Sequence, residues 1–428
     1  MEGSVRAVAA ALLQRCASAE QYSNLALDTA LRRHSFSDAD RSLLTALVYG
    51  VIERQITLDY LISVLAKRDV EEIAFDVRTL LRLGLYQLVY LDRIPMHAAV
   101  NETVDLAPKR AKGFVNAILR AYCRVGHQIE LPSVASDPIR ALSVRYSFDE
   151  RICERFLDRF GAERTESLLS AFCEHPPLTL RVNTLLTSRE SLLARLCEAG
   201  YDATPTPQAK SGILVRGNAP VRALPGFEEG AFFVQDEASQ LCVEAVDAHA
   251  GMRVLDLCAC PGSKSFGIAI EMGNEGEVIS CDLHANKLSL VEGGAERLGI
   301  TCLQTHARDA RLCEAEWIGS ADRVLCDVPC SGFGVFAKKP ELRYKDPAKS
   351  DALPQIQRDI LKATCAYVRV GGKLVYSTCT LLAEENEKNV EDFLGSHPEF
   401  TLQRMRTLTP DEDRTDGFFF AVLERVRA

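Results

Sequence analysis

Apolar residues recur at helical spacing along the first third of the chain: Val5, Val8 and Leu12, then Leu44, Leu47, Val48 and Val51, then Leu58, Leu61, Ile62 and Leu65, then Leu81, Leu85 and Leu88. Steps of three and four residues line up one face of an α-helix, so each run predicts a helix with a buried stripe. Glycine and proline fall between these runs or near their ends, and no alternating strand pattern appears before about residue 175. Residues 1–130 are therefore expected to form an all-α domain. The stretch from Leu131, Pro132 and Ser133 to Pro138 reads as a linker, and Pro176 and Pro177 precede a short strand-like run, Leu178 to Val182. A small mixed α/β subdomain is expected over 145–230. From Met252 onward short apolar runs (Val254 to Leu257, Val278 to Cys281, Val324 to Cys326, Leu374 to Tyr376) alternate with amphipathic stretches at Lys264 to Glu271, Asn286 to Leu298 and Leu353 to Val368. That alternation predicts an α/β domain over 231–428, a doubly wound parallel sheet with helices on both faces.

Bulk properties narrow the class. A chain of 428 residues is too long for one core and should divide into two or three units. With 47% hydrophobic and 25% charged residues it is ordinary globular material, which excludes collagen-like, low-complexity and disordered chains. No apolar run approaches membrane-spanning length and the start carries no signal-peptide core, so a cytoplasmic protein is expected. Fifteen cysteines in a long chain, an odd number, read as reduced thiols rather than a disulfide framework. The close pairs, Cys258 with Cys260 and Cys326 with Cys330, lack zinc-ligand spacing and a nearby histidine, so no metal is expected. Cys16, Cys153, Cys242 and Cys365 read as small buried apolar residues.

The net charge of −9 argues at first against a nucleic-acid partner. Its distribution changes that picture: residues 1–130 hold sixteen basic and fifteen acidic side chains, and the acidic excess lies later, including Glu384, Glu385, Glu387, Glu391 and Asp392. Basic residues cluster at Lys109, Arg110 and Lys112 with Arg120 and Arg124, and again at Lys338, Lys339, Arg343 and Lys345. Either cluster reads equally well as a phosphate-contacting patch or a solvated helix face.

Ligands of doubly wound sheets sit at the carboxyl ends of the strands, so chemistry is sought there. The first strand ends in Asp256-Leu257-Cys258-Ala259-Cys260-Pro261-Gly262-Ser263-Lys264, a turn into a helix start that could bring backbone N–H groups to a ligand. It is not a P-loop, which needs glycine where Cys258 and Ser263 stand, nor a dinucleotide fingerprint, since Gly262 is alone. Asp282 ends the second strand twenty residues after Gly262, where an acidic side chain can meet ribose hydroxyls or simply cap a helix. Asp309 follows the third strand region. The fourth runs into Asp327-Val328-Pro329-Cys330-Ser331-Gly332-Phe333-Gly334, and the fifth ends in Tyr376-Ser377-Thr378-Cys379-Thr380. One cysteine at such an edge reads as core; two at neighbouring strand ends point to chemistry.

The sequences around Cys330 and Cys379 resemble the paired cysteine motifs of the RNA cytosine-5 methyltransferases of the Nop2/Sun/RsmB family, and Cys258 to Lys264 resembles that family's cofactor loop. Val234-Gln235-Asp236-Glu237-Ala238-Ser239-Gln240 and Asp416-Gly417-Phe418-Phe419 extend the likeness from about 145 to 428. The helical third, with Gly113-Phe114-Val115-Asn116-Ala117-Ile118-Leu119-Arg120, is similar to a NusB-type RNA-binding domain. The resemblance implies a NusB-like domain, a small subdomain and a Rossmann-like domain using S-adenosyl-L-methionine. Cys379 would be the attacking thiol, Cys330 would assist product release, and Asp327 would hydrogen-bond the base and touch the cofactor. Asp282 would hold the ribose, Asp309 the adenine amino group, and Cys258, Ala259, Cys260, Pro261, Gly262, Ser263 and Lys264 the methionine end.

The residue types fit that chemistry. Carbon 5 of cytosine is a poor nucleophile, so a thiolate must first add to carbon 6. Ser263 stands where the family usually has a second glycine, Cys260 replaces a usual alanine and Ser265 a usual threonine. A DNA cytosine methyltransferase would use the Pro-Cys thiol and would not need the Thr-Cys motif, so both together favour RNA. The implied substrate is a cytidine in 16S ribosomal RNA, free or in an early small-subunit particle, met by a monomer. The same chemistry on transfer RNA and a catalytically inactive RNA-binding protein are the alternatives.

Overall fold

The computed structural model describes residues 4–19, 23–217 and 219–427. The chain divides into two compact units, Met1–Cys173 with Phe336–Pro347 and Glu174–Val335 with Ala348–Ala428.

The first unit is helical, with helices at Val5–Ala19, Ser23–Arg33, Asp38–Glu53, Gln55–Ala66, Phe75–Tyr90, Met96–Leu106, Lys112–Val125, Pro138–Tyr146 and Glu150–Ala171. The stripes read from the sequence are its core: Leu44, Leu47, Val48, Leu58, Ile62, Leu81 and Leu85 are buried, with Val5, Val8, Leu65 and Leu88 packed against them. Helix starts carry their own signals. Ser37 accepts the Asp40 N–H, and Asp137, followed by Pro138, accepts the Arg140 N–H, each satisfying a donor that a first turn leaves open.

The segment Phe336–Pro347 is drawn into this unit. Phe336 is fully buried, edge-on to Phe148 and to Phe172 at 5.0 Å each. Arg343, 1% exposed, donates to the carbonyls of Glu53 (3.0 Å) and Phe172 (2.7 Å). The cluster Lys338, Lys339, Arg343 and Lys345 is therefore not one basic surface. Arg343 is a core tie whose guanidinium is spent on backbone carbonyls, a use that composition cannot distinguish from phosphate binding.

The second unit holds two sheets. The smaller contains β1 (Leu178–Val182), β2 (Asp202–Pro205), β3 (Gly212–Arg216) and β4 (Phe232–Val234) in the order β2-β3-β1-β4, all antiparallel. The helix Arg189–Glu198 covers it, burying Leu192 and Leu196 on Leu180, Ile213 and Phe232.

The larger sheet comprises β5 (Arg253–Asp256), β6 (Glu277–Asp282), β7 (Leu303–Ala307), β8 (Ala321–Asp327), β9 (Val368–Thr378), β10 (Phe400–Leu408) and β11 (Phe418–Arg425), ordered β10-β11-β9-β8-β5-β6-β7. Side chains alternate between two cores. Leu325, Val375 and Phe420 face one with Val243 and Ile268, while Val324, Cys326, Leu374 and Phe419 face the other with Ile360 and Phe393. Strands buried on both faces read as continuous apolar runs, which is why β5, β6, β8 and β9 were legible.

Two expectations need correction. The sheet is not wholly parallel: β10 and β11 form an antiparallel pair, with β11 inserted between β10 and β9. An apolar run such as Phe418–Leu423 announces burial but carries no strand direction. The helix expected to reach Val368 ends at Thr364, passes through a turn at Cys365–Tyr367 and yields to β9. Among the described residues no helix is long and apolar enough to cross a membrane.

Candidate active site

The strands β6 and β7 lie to one side of β5, and β8 and β9 to the other, so the order switches between β5 and β8. In open sheets of this kind ligands bind outside the carboxyl ends of the strands at such a point. The β8–β9 register sets Asp327 opposite Ser377, and the chain leaves both strands at the same edge. Cys330, three residues past Asp327, and Cys379, two past Ser377, meet there with Sγ atoms 3.2 Å apart, both as free thiols.

Gly334 and Gly417 allow this meeting. The Gly417 N–H donates to Gly334 O at 2.7 Å, and a Cβ at 334 would lie 2.0 Å from Gly417 O and 2.9 Å from Cys379 O. Only a residue without a side chain permits that approach. Asp416-Gly417-Phe418-Phe419 thus braces the Cys330 loop, and Phe418 lies under Lys264, whose Nζ is 5.1 Å from the ring centroid.

Asp327 is held at both oxygens, Oδ2 accepting from Lys264 Nζ at 2.6 Å and Oδ1 from Ser377 Oγ at 2.8 Å. Burial opposes the Lys264 charge most strongly of any single cause, but Asp327, Cys242 and Cys379 together outweigh it and raise the ammonium pKa above its ordinary value. The Cys330 thiol is pushed well above the usual cysteine range, first by its hydrogen bond with Cys379 and then by burial. The Cys330 thiol therefore stays protonated near neutral pH, with its sulfur within hydrogen-bond reach of Cys379.

The loop after β5 begins at Asp256, which is fully buried. Its Oδ2 accepts from Ser265 Oγ at 2.6 Å, its Oδ1 has no partner, and burial lifts its pKa to about 7. The turn through Cys258, Ala259, Cys260 and Pro261 closes with the Gly262 N–H on Ala259 O. Gly262 has φ 107°, and the helix begins at Ser263. The left-handed position therefore falls on the glycine present, and Ser263 takes ordinary first-turn backbone. Its carbonyl accepts from Gln235 Nε2 at 3.0 Å, so Val234 to Gln240 braces this turn. Burial raises the thiols of Cys258 and Cys260, the latter to about 12 with Asp282 as the next cause, so neither is a thiolate near neutral pH.

Asp282 and Asp309 stand at the same edge, after β6 and β7. Asp282 Oδ1 accepts the His284 N–H at 2.9 Å at the entry to the helix Ala285–Leu298. Asp309 is chelated by Arg311, with Nε and Nη2 on its carboxylate and the shortest distance 2.6 Å, which lowers its pKa.

Several site residues had no separate role in the sequence reading. Ser377 and Gln235 lay inside quoted motifs, and only the fold shows what each holds. Glu385 was counted only as part of the later acidic excess, yet it is 1% exposed. Its signal was Leu381-Leu382 before it and Val390 after, apolar residues that carry the segment inward.

A mostly parallel sheet of this order, with an antiparallel strand pair at one end and an acidic, glycine-bearing turn at its switch point, defines a Rossmann-like methyltransferase domain. Comparison with known proteins gives the family. Residues 243–424 match the model described as 16S rRNA methyltransferase RsmB/F, residues 4–124 the NusB family, and residues 149–222 the ferredoxin-like domain of RsmF/B-like methyltransferases. The chain is 37% identical to a Bacillus subtilis (strain 168) protein named probable ribosomal RNA small subunit methyltransferase B, covering 93% of this chain and 89% of that one. It is 36% identical to one of the same name from Synechocystis sp., covering 99% of each. A crystal structure named PH0851 superposes with a TM-score of 0.82 at 26% identity over 98% of each chain. The crystal structure of NSun6 from Pyrococcus horikoshii with SFG shares the fold at 22% identity, with a TM-score of 0.59 over 66% of this chain and 100% of that one. The chain belongs to the RsmB/F methyltransferase family.

Proposed function

We propose that this protein methylates carbon 5 of a cytidine in 16S ribosomal RNA through a covalent bond between Cys379 and carbon 6. The observation that carries the reading is the pair of thiols 3.2 Å apart beside the Lys264–Asp327 ion pair. The names of the relatives support a small-subunit ribosomal RNA substrate; we take that RNA as free or in an early particle, met by a monomer in the cytoplasm.

The residues present fit S-adenosyl-L-methionine. Asp256 Oδ1 is a buried carboxylate oxygen without a protein donor, and the turn Cys258 to Lys264 supplies backbone N–H groups. Asp282 and Asp309 would take the ribose and the adenine amino group. S-adenosyl-L-methionine, when bound, supplies an electrophilic methyl group to carbon 5.

The Cys379 thiolate forms the bond to carbon 6, and the displaced π-electron pair makes carbon 5 nucleophilic. Asp327 would hydrogen-bond the base near its ring nitrogen, while the Lys264 ammonium offsets charge developing on the ring. Once Cys379 has spent its charge on the new bond, the chief cause holding the Cys330 proton is gone. Cys330 then releases its proton to solvent and takes the proton from carbon 5. The carbon–hydrogen electron pair restores the 5,6 double bond, the carbon–sulfur bond breaks, and Cys379 leaves as thiolate. The target base must be unstacked to reach the thiols, at roughly a few kcal/mol, so a loop cytidine is favoured.

The test is transfer of labelled methyl to unmodified 16S ribosomal RNA. Cys379→Ser should abolish transfer, and Cys330→Ser should leave a stable protein–RNA adduct. Transfer to transfer RNA alone would keep the chemistry and overturn the substrate; no transfer to any RNA would leave an RNA-binding protein.

A further inference from the structure

Behind the cysteines lies a buried polar network that the proposed chemistry does not use. Glu385 is 1% exposed and Gln357 fully buried. Glu385 Oε2 accepts from the Ser331 N–H at 2.9 Å and from Gln357 Nε2 at 2.8 Å, and Gln357 Nε2 also donates to Pro329 O at 2.9 Å. The backbone is thus gripped on both sides of Cys330 by one pair of side chains. The Gln357 amide cannot turn over, because its Oε1 accepts from Asn389 Nδ2 at 2.8 Å and from the Tyr376 hydroxyl at 3.3 Å. Ser331 Oγ meets Thr380 Oγ1 at 2.8 Å, joining the residue after Cys330 to the residue after Cys379.

A carboxylate is an expensive part for a packing role. No cation pairs with Glu385 among the described residues, and a buried charge is retained against its desolvation cost only by the hydrogen bonds it makes. Here those bonds go to one backbone N–H of the Cys330 loop and to the amide that holds that loop's other side. Charge-assisted bonds of this kind are short and stiff. They hold Cys330 at reach of Cys379 while leaving the Cys379 strand end to its own contacts, Thr378 Oγ1 on Asn386 Oδ1 and Asn386 Nδ2 on Thr380 O.

We infer that Glu385 and Gln357 are positioning residues for Cys330, fixing its loop for the release step rather than for the attack by Cys379. The inference rests on the proposed roles of the two cysteines. Loosening the loop should slow proton removal at carbon 5 while bond formation at carbon 6 continues, so protein should accumulate bound to RNA.

The experiment uses the full chain with unmodified 16S ribosomal RNA and S-adenosyl-L-methionine, reading turnover and the protein–RNA adduct that survives a denaturing gel. Glu385→Ala and Gln357→Leu are expected to lower kcat by about 100-fold, the scale of a displaced catalytic group, with KM for RNA within about threefold and adduct visible as in Cys330→Ser. Glu385→Gln, which keeps an acceptor, should recover part of the turnover. Glu385→Ala combined with Cys330→Ser should be no slower than Cys330→Ser alone, since both act on one step. Should Glu385→Ala fail to fold, Thr380→Val, which removes the bridge to Ser331 together with a longer bond from the Leu382 N–H, is read in the same way. Loss of turnover without adduct, while Cys330→Ser does trap it, overturns this inference and leaves the cysteine roles standing. No adduct with Cys330→Ser itself overturns the cysteine roles and this inference with them.

Discussion

Gly334→Ala isolates the close approach that brings the two cysteine loops together. The new Cβ would lie 2.0 Å from Gly417 O, where a carbon–oxygen contact needs about 3.3 Å, so the backbones must part by about 1.3 Å. That separation breaks the 2.7 Å bond from the Gly417 N–H to Gly334 O, worth about 1 kcal/mol, and the crowding adds about 1–3 kcal/mol. The same Cβ would stand 2.9 Å from Cys379 O, so the displacement falls on the nucleophile's own strand end. A misplacement of about 1 Å can cost roughly 100-fold in rate. The variant should therefore stay folded, with thermal stability lowered by a few degrees, and transfer methyl groups about 100-fold more slowly. Circular dichroism on heating and initial rates with labelled S-adenosyl-L-methionine measure both. A rate within about threefold of wild type in a folded variant would refute the claim that this glycine contact sets the cysteine geometry.

Other perturbations test other parts. Burial lifts Asp256 from 3.8 to about 7, so between those values the folded state holds a proton that the unfolded chain has released, and the fold loses up to about 4 kcal/mol as pH rises through the window. Asp256→Asn, which still offers Ser265 an acceptor, should flatten the fall in thermal stability from pH 5 to 8; an unchanged slope counts against a buried, titrating carboxyl. Lys264→Met leaves Asp327 without its cation and should lower kcat roughly 100- to 1,000-fold, with its proper measure the single-turnover rate; near-normal turnover would remove Lys264 from the charge balance. Phe336→Ala empties a fully buried ring site among Phe148, Phe156 and Phe172 and should cost about 3–5 kcal/mol. Urea unfolding checks it, and a loss below about 1 kcal/mol would mean the ring does not anchor its segment.

The sequence by itself determined the periodic parts. Helical steps such as Leu44, Leu47, Val48 and Val51 can bury only one face, and runs such as Val324–Cys326 can be satisfied only between two cores, so element type and burial followed from spacing. The cysteines at the ends of β8 and β9 and the acidic residues at the ends of β5 to β8 were legible for the same reason, since a parallel sheet sends all those ends to one edge. The tertiary structure decided what depends on contacts between distant residues. Phe418–Leu423 became an antiparallel strand because pairing, not composition, sets direction. Arg343 and Glu385 have the composition of surface charges, but backbone carbonyls around one and N–H groups around the other offset part of the cost of their burial. Ser377 became a partner of Asp327 through the β8–β9 register alone. A linear pattern encodes which face of an element is dry; which polar group waits on the other side of that face is settled only when the chain has closed around it.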